Sequence, residues 1–155
     1  MTNLIKSSKQ QDGKTIVLSI KPKYAELILS GSKTVEFRRA WAIAKVDMIA
    51  IYASSPVQKL IGVVQVSELV REKPTLLWEY CSKYGGGMSK IELSMYFKGK
   101  EAGFAIFLKD AKRFSQSIDP KKIIKNFSPP QSFRYITAAE RQKLLKIMSQ
   151  KEVVE

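Results

Sequence analysis

Apolar and polar positions alternate along this chain with periods that change several times, and each change marks an element. Thr15–Ile20 is a β-rich run closed by Lys21-Pro22. Proline suits the first turn of a helix. Tyr24, Leu27 and Ile28 then recur at the i, i+3, i+4 spacing of a buried helical stripe, and Gly31 supplies the stop. From Lys33 to Arg39 the period drops to two, with Val35 and Phe37 on one side and Thr34, Glu36 and Arg38 on the other. The pattern predicts a strand–helix–strand opening.

Val46–Tyr52 reads as another strand, halted by Ser54-Ser55-Pro56, and Leu60–Val70 continues the sheet. Pro74 opens a helix carrying Leu76, Leu77, Trp78 and Tyr80, which ends at Gly85-Gly86-Gly87. Ser89 and Glu92 have the spacing of a capping box, so a second short helix is expected to about Phe97. Ala102–Leu108 is read as a short buried strand. Residues 115–132 read as irregular, with Ile123 and Ile124 pairing at a sheet edge. Thr137 and Glu140 form another capping box, before a terminal helix whose apolar side is Leu144, Leu145, Ile147 and Met148. About five or six strands among short helices predict an α+β domain whose sheet curls into a small barrel. The expected division is a flexible leader over 1–13, the domain over 14–136 and the terminal helix over 137–155. No repeat or low-complexity tract interrupts it.

Composition narrows the chemistry. The 155 residues hold 27 Lys and Arg against 14 Asp and Glu, a formal charge of +13, and 45% are hydrophobic, enough for a real core. There is no histidine, which excludes Ser-His-Asp and Cys-His machinery and His-ligated zinc. The lone cysteine, Cys81, cannot form an intrachain disulfide and is read as a core thiol in a reducing compartment, so a cytoplasmic location is expected. The polar opening residues lack the apolar core of a secretory signal. No run approaches the ~18 apolar residues of a spanning helix, and no basic helix has a strongly apolar opposite face, so no membrane partner is expected. A sequence pI near 9.8 makes a polyanion the expected partner.

The chemistry-bearing stretch is Ser30–Arg39. Val17, Ser19 and Lys21 share one side of the first strand. If the first two strands pair across the helix, Lys21, Lys33, Glu36 and Arg38 converge. Arg38 can then make a forked contact to phosphate, and Glu36 can accept from a base amino group. The same i, i+2 spacing also fits a surface ion pair. Ser54 and Ser55 either form a plain turn or hold a phosphate with their hydroxyls. Lys109, Lys112, Arg113, Lys121, Lys122 and Lys125, interleaved with Phe114 and Phe127, form either a phosphate-tracking strip or a solvated face. Trp78 and Tyr80 read as packing, and the triple glycine as a hinge. Glu36, Glu68 and Glu72 are the best candidates for a metal-held nuclease, but they lack ligand spacing, so neither a metal nor a cofactor is expected.

Gly31, Lys33, Glu36 and Arg38 reproduce the pattern G-x-K-x-x-E-x-R, and in this the chain resembles the ASCH family of the PUA-like superfamily. Ile51–Pro56, Ile61-Gly62, Trp78, Tyr96-Phe97 and Pro129–Phe133 extend the likeness over about residues 15 to 136. The resemblance implies a β-barrel flanked by short helices, with a cleft lined by the signature residues. It further implies binding of RNA or of modified nucleotides. Some members are amidohydrolases acting on acetylcytidine, and others are credited with nuclease activity. Lys33 matches the amidohydrolases' catalytic lysine, whereas Glu36 stands where they carry threonine and Gly86 near where they carry glutamate. The expected function is therefore a non-catalytic RNA- or nucleotide-binding module using Ser19, Lys21, Lys33, Glu36, Arg38, Ser54 and Ser55. The alternative is a small hydrolase, either acetylcytidine amidohydrolase-like or a metal-dependent ribonuclease, with Lys33 and Glu36 as its catalytic pair. A protein partner bound through the terminal helix is a third reading.

Overall fold

The computed structural model describes residues 13–154, with side chains as far as residue 150. Apart from Gly13, the expected leader lies outside the described residues. The elements run β1 (Lys14–Ile20), α1 (Pro22–Leu29), β2 (Val35–Arg38), β3 (Val46–Ala53), β4 (Lys59–Glu72), α2 (Pro74–Tyr84), α3 (Lys90–Tyr96), β5 (Gly103–Ile118), β6 (Phe133–Tyr135) and α4 (Ala138–Val154). A 3-10 turn over Pro120–Lys122 joins β5 to the segment before β6.

The strands form one curled six-stranded half-barrel in the order β2-β5-β4-β3-β1-β6, so the α+β barrel-like class holds. β1 lies parallel to β3, and every other pair is antiparallel. The opening strands do not pair with one another. β1 sits between β3 and β6, while β2 pairs with β5 at the opposite edge. Sheet curl, not strand pairing, brings their ends together.

One core fills the barrel, with Ile16, Leu18, Ile49, Ile51 and Ile106 against Ala25 and Ile28 of α1. A second lies beneath α4, and a third packs α2 and α3 on Val35, Phe37 and Ala105. The alternation of β2 explains the last: Val35 and Phe37 face these helices while Glu36 and Arg38 face the barrel mouth.

Three local expectations change. β5 runs for 16 residues and does not stop at Leu108, because its polar outer half is held by ladder bonds to β4 through several register shifts. Ile123 and Ile124 pair with no strand; both follow the 3-10 turn and are buried in the second core. β6 lies just past the irregular span and, at three residues, is too short for alternation to reveal it. Both capping boxes form as read, with Ser89 bonded to Glu92 and Thr137 to Glu140 in each direction.

In α4, Leu144 is 1% exposed and packs with Ile147 and Met148 in the second core, whereas Leu145 is 37% exposed. Leu144→Ala is expected to cost about 3 kcal/mol in urea unfolding, the scale of a buried leucine truncation. Leu145→Ala is expected to stay within about 0.5 kcal/mol of the parent chain.

Candidate functional site

The site begins at a turn. α1 ends at Ser30, and Gly31 follows at φ +87°, a left-handed conformation that glycine adopts without strain. The Lys33 amide then bonds back to the Leu27 carbonyl at 2.9 Å, which fixes where β2 starts. Thr34 is stitched to the end of α2: its amide bonds to Gly85 O at 3.1 Å and its hydroxyl donates to Tyr84 O. The triple glycine is thus packed against the signature strand.

Lys33 is 2% exposed. Its ammonium donates to the Gly86 carbonyl, stands 3.3 Å from Glu36 Oε1, and lies over the rings of Tyr24 at 5.3 Å and Phe37 at 5.6 Å. A Cβ on Gly86 would come within 2.4 Å of Cys81 Sγ and 2.8 Å of Phe37, so only glycine brings this carbonyl so close. Cys81 itself is a buried free thiol.

Glu36, 7% exposed, is held from both sides. Arg38 Nε donates to its Oε2 at 2.9 Å, with Arg38 Nη2 also 2.7 Å away. Arg38 Nη2 further donates to the Ser19 carbonyl on β1 at 2.9 Å, linking the two strands that do not pair. Burial by itself would raise the Glu36 pKa, but the charges and hydrogen bonds of Arg38 and Lys33 outweigh it and hold the carboxyl below its ordinary value. The set carries two cations and one anion, with Lys33 and Glu36 buried and Arg38 partly so, and Arg38 Nη1 is the guanidinium nitrogen these bonds leave unused.

Above the set opens a cavity of about 890 Å³, lined by Ser19, Lys21, Lys33, Glu36, Arg38, Ser54 and Ser55 together. Lys21 is exposed at the N-cap of α1 and makes no side-chain capping bond. The Ser19 hydroxyl donates to Pro130 O at 2.7 Å, holding the segment before β6 against the cavity. Tyr24, Tyr52 and Tyr96 also line the space, and burial pushes all three phenols upward, most simply for Tyr52. They remain neutral hydroxyls at physiological pH.

Several lining residues escape a reading of the sequence. Tyr24 looks like part of a core stripe, yet its hydroxyl bonds Glu92 of α3 at 3.2 Å. Gln58, Gln131 and the α3 residues Ile91 and Met95 also contribute, with Met88 just before the helix. The only hint in sequence is two large apolar residues at i, i+4 outside the buried stripe of a capped helix.

Other candidates lie elsewhere. Phe114 is buried, and Phe127 packs on Tyr52 at 5.2 Å between centroids, so the aromatics of the basic span serve the core. The cations of that span are exposed and outside the cavity, and Arg113 pairs with Glu26 of α1. Glu68 and Glu72 sit on β4 away from the cavity. Among the described residues no three acids or cysteines gather as a metal-binding group, and no helix is long and apolar enough to cross a membrane.

The family model of the ASCH domain matches residues 18–117. Over 150 residues, 91% of this chain and 97% of the relative, the sequence is 37% identical to an ASCH domain-containing ribonuclease of Zymomonas mobilis. The crystal structure of ASCH from the same organism superposes with a TM-score of 0.79 at 34% identity, covering 86% of this chain and 94% of that one. The N-terminal domain of Staphylothermus marinus McrB shares the fold at 12% identity and a TM-score of 0.53, over 86% of this chain and 94% of its own.

Glu36→Gln keeps the shape but leaves buried Lys33 and partly buried Arg38 without their counter-ion. A loss of about 3 kcal/mol at neutral pH is expected, on the scale of a broken buried pair. Because the folded pKa is lowered, the stability Glu36 confers is complete above the unfolded value of about 4.3 and drains away as pH falls through the folded one. Urea unfolding of both proteins across that range should show the gap narrowing in acid; a gap that widens refutes the charge account.

Proposed function

The chain belongs to the ASCH domain family, and we propose that its cavity binds an unstacked nucleotide of single-stranded RNA. The observation carrying this reading is the ion-paired Lys33–Glu36–Arg38 set lining a cavity of about 890 Å³. That volume is in the range of small-ligand pockets, about 300–1,000 Å³, and suits a splayed-out base with its phosphate better than a stacked duplex. Arg38 and Lys21 take the phosphate, Arg38 through Nη1 and Lys21 as an exposed point charge at the rim. Ser54 and Ser55 add hydroxyl contacts to the same group. Lys33 and Glu36 act mainly by fixing Arg38, while Glu36 retains acceptor capacity for a base amino group.

Cleavage of that RNA is the second reading, favoured by the relative at 37% identity that is named a ribonuclease. With no histidine available, Lys33 and Arg38 would stabilise charge developing on the phosphate.

Titration of labelled single-stranded RNA against salt tests the binding. Log K should fall by about 0.7 per neutralised phosphate for each unit of log salt. Lys21→Ala and Arg38→Ala should each weaken binding and reduce that slope by about 0.7. Absent or salt-insensitive binding refutes the reading. Incubation of RNA with and without Mn²⁺ decides the second: turnover by the parent chain that Lys33→Ala abolishes makes the protein a nuclease.

A further inference from the structure

We propose that α3 is the base-contacting lip of this cavity, with Ile91 and Met95 covering the face of the nucleobase whose phosphate Lys21 and Arg38 hold. The inference rests on the RNA reading above and assigns the other half of the ligand.

Ile91 is 76% exposed and Met95 64%. A single exposed hydrophobic residue needs no explanation, because much of any protein surface is apolar. These two are different in placement. They stand one turn apart on the same short helix, and both line the cavity that holds the buried charges, with Met88 beside them.

Their exposure is also fixed by construction. Leu93, 1% exposed, and Phe97, 2% exposed, take the inward side of α3 in the third core, so Ile91 and Met95 have no inward position to occupy. The helix is clamped at its start by the Ser89–Glu92 capping box, with bonds of 2.9 and 3.1 Å. Glu92 Oε2 then accepts from Tyr24 of α1 at 3.2 Å, which ties the lip to α1. An apolar surface held this firmly beside buried charge is pre-organised for a ligand, since little side-chain or loop ordering is left to oppose binding.

The chemistry of the lining selects the occupant. Part of the lining offers cations and hydroxyls, and part offers aliphatic and thioether surface. The matching ligand is anionic at one end and flat and apolar at the other, with polar edges that Gln58 and Gln131 can meet. A nucleotide has that division, and a base flipped out of its stack is commonly covered by apolar side chains in a pocket. The polarizable sulfur of Met95 and the branched Ile91 fit either purine or pyrimidine faces, so the lip confers affinity for a base with little preference among bases.

The test compares a short single-stranded RNA with an abasic strand carrying the same phosphates, for the parent chain and for the double variant Ile91→Ser/Met95→Ser. Both side chains are exposed, so the variant should keep the urea midpoint of the parent. The parent should bind the base-bearing strand roughly ten-fold more tightly than the abasic one, the scale of one base contact. The double variant should lose that preference while keeping its abasic affinity and its salt slope. A variant that still prefers bases overturns the lip while leaving RNA binding in place, as does one that loses affinity equally for both strands. A parent chain that binds neither strand removes the RNA reading and the lip with it.

Discussion

Glu36 is the charge on which the rest of the site depends. It sits between two cations, 3.3 Å from buried Lys33 and 2.7 Å from partly buried Arg38, and supplies the counter-charge to both. Lys33 is 2% exposed, a position where an unpaired ammonium is very costly. The pairing also does geometric work for the fold. Arg38 reaches Ser19 O, so edge strand β2 is joined to β1 by a guanidinium where the half-barrel has no ladder between them. A hydrophobic triad of similar volume would serve stability as well or better. A buried ion network retained in a cavity wall is better explained by what it presents to a ligand.

The sequence makes local geometry legible and tertiary geometry much less so. The strand–helix–strand opening follows from a change of period between Thr15 and Arg39, and the capping boxes at Ser89 and Thr137 follow from pairs three residues apart. Such signals depend on neighbours in the chain, which a sequence displays directly. Neither the partner of β1 nor the length of β5 is of this kind. β1 pairs with β3 and β6, and the outer half of β5 is polar yet remains a strand because β4 lies beside it. β6 exists because Phe133–Tyr135 meets the edge of β1, a fact that three residues cannot announce.

The candidate site divides along the same line. Lys33, Glu36 and Arg38 stand out because they fall within one short stretch, and Ser19, Lys21, Ser54 and Ser55 because they end neighbouring strands. A further part of the lining comes from residues 88–96, far along the chain, where nothing in the local pattern says which way α3 faces. Gly86 is a subtler case. As a residue type it has no functional group, yet its carbonyl accepts from Lys33, and any side chain would collide with Cys81 and Phe37. The contribution comes from the backbone and is legible only once the packing is known. Gly86 O and Glu36 Oε1 thus share the Lys33 ammonium between a backbone and a side-chain acceptor.

Little of the large net charge lines the cavity. Three cations and two carboxylates line the cavity, so its local excess is small beside the +13 of the whole chain. Among the described residues, Lys109, Lys121, Lys122 and Lys125 are exposed and carry part of the rest. Charges spread in this way act at the range of the Debye length, about 8 Å at physiological salt, and raise the rate at which a polyanion arrives without choosing what it is. In the proposed RNA reading, selection falls to the short-range features: a forked guanidinium held by Glu36, hydroxyls at a strand end, and the apolar lip of the same cavity. In that reading arrival is set by the sum of the charges, and recognition by the few held in place by their partners.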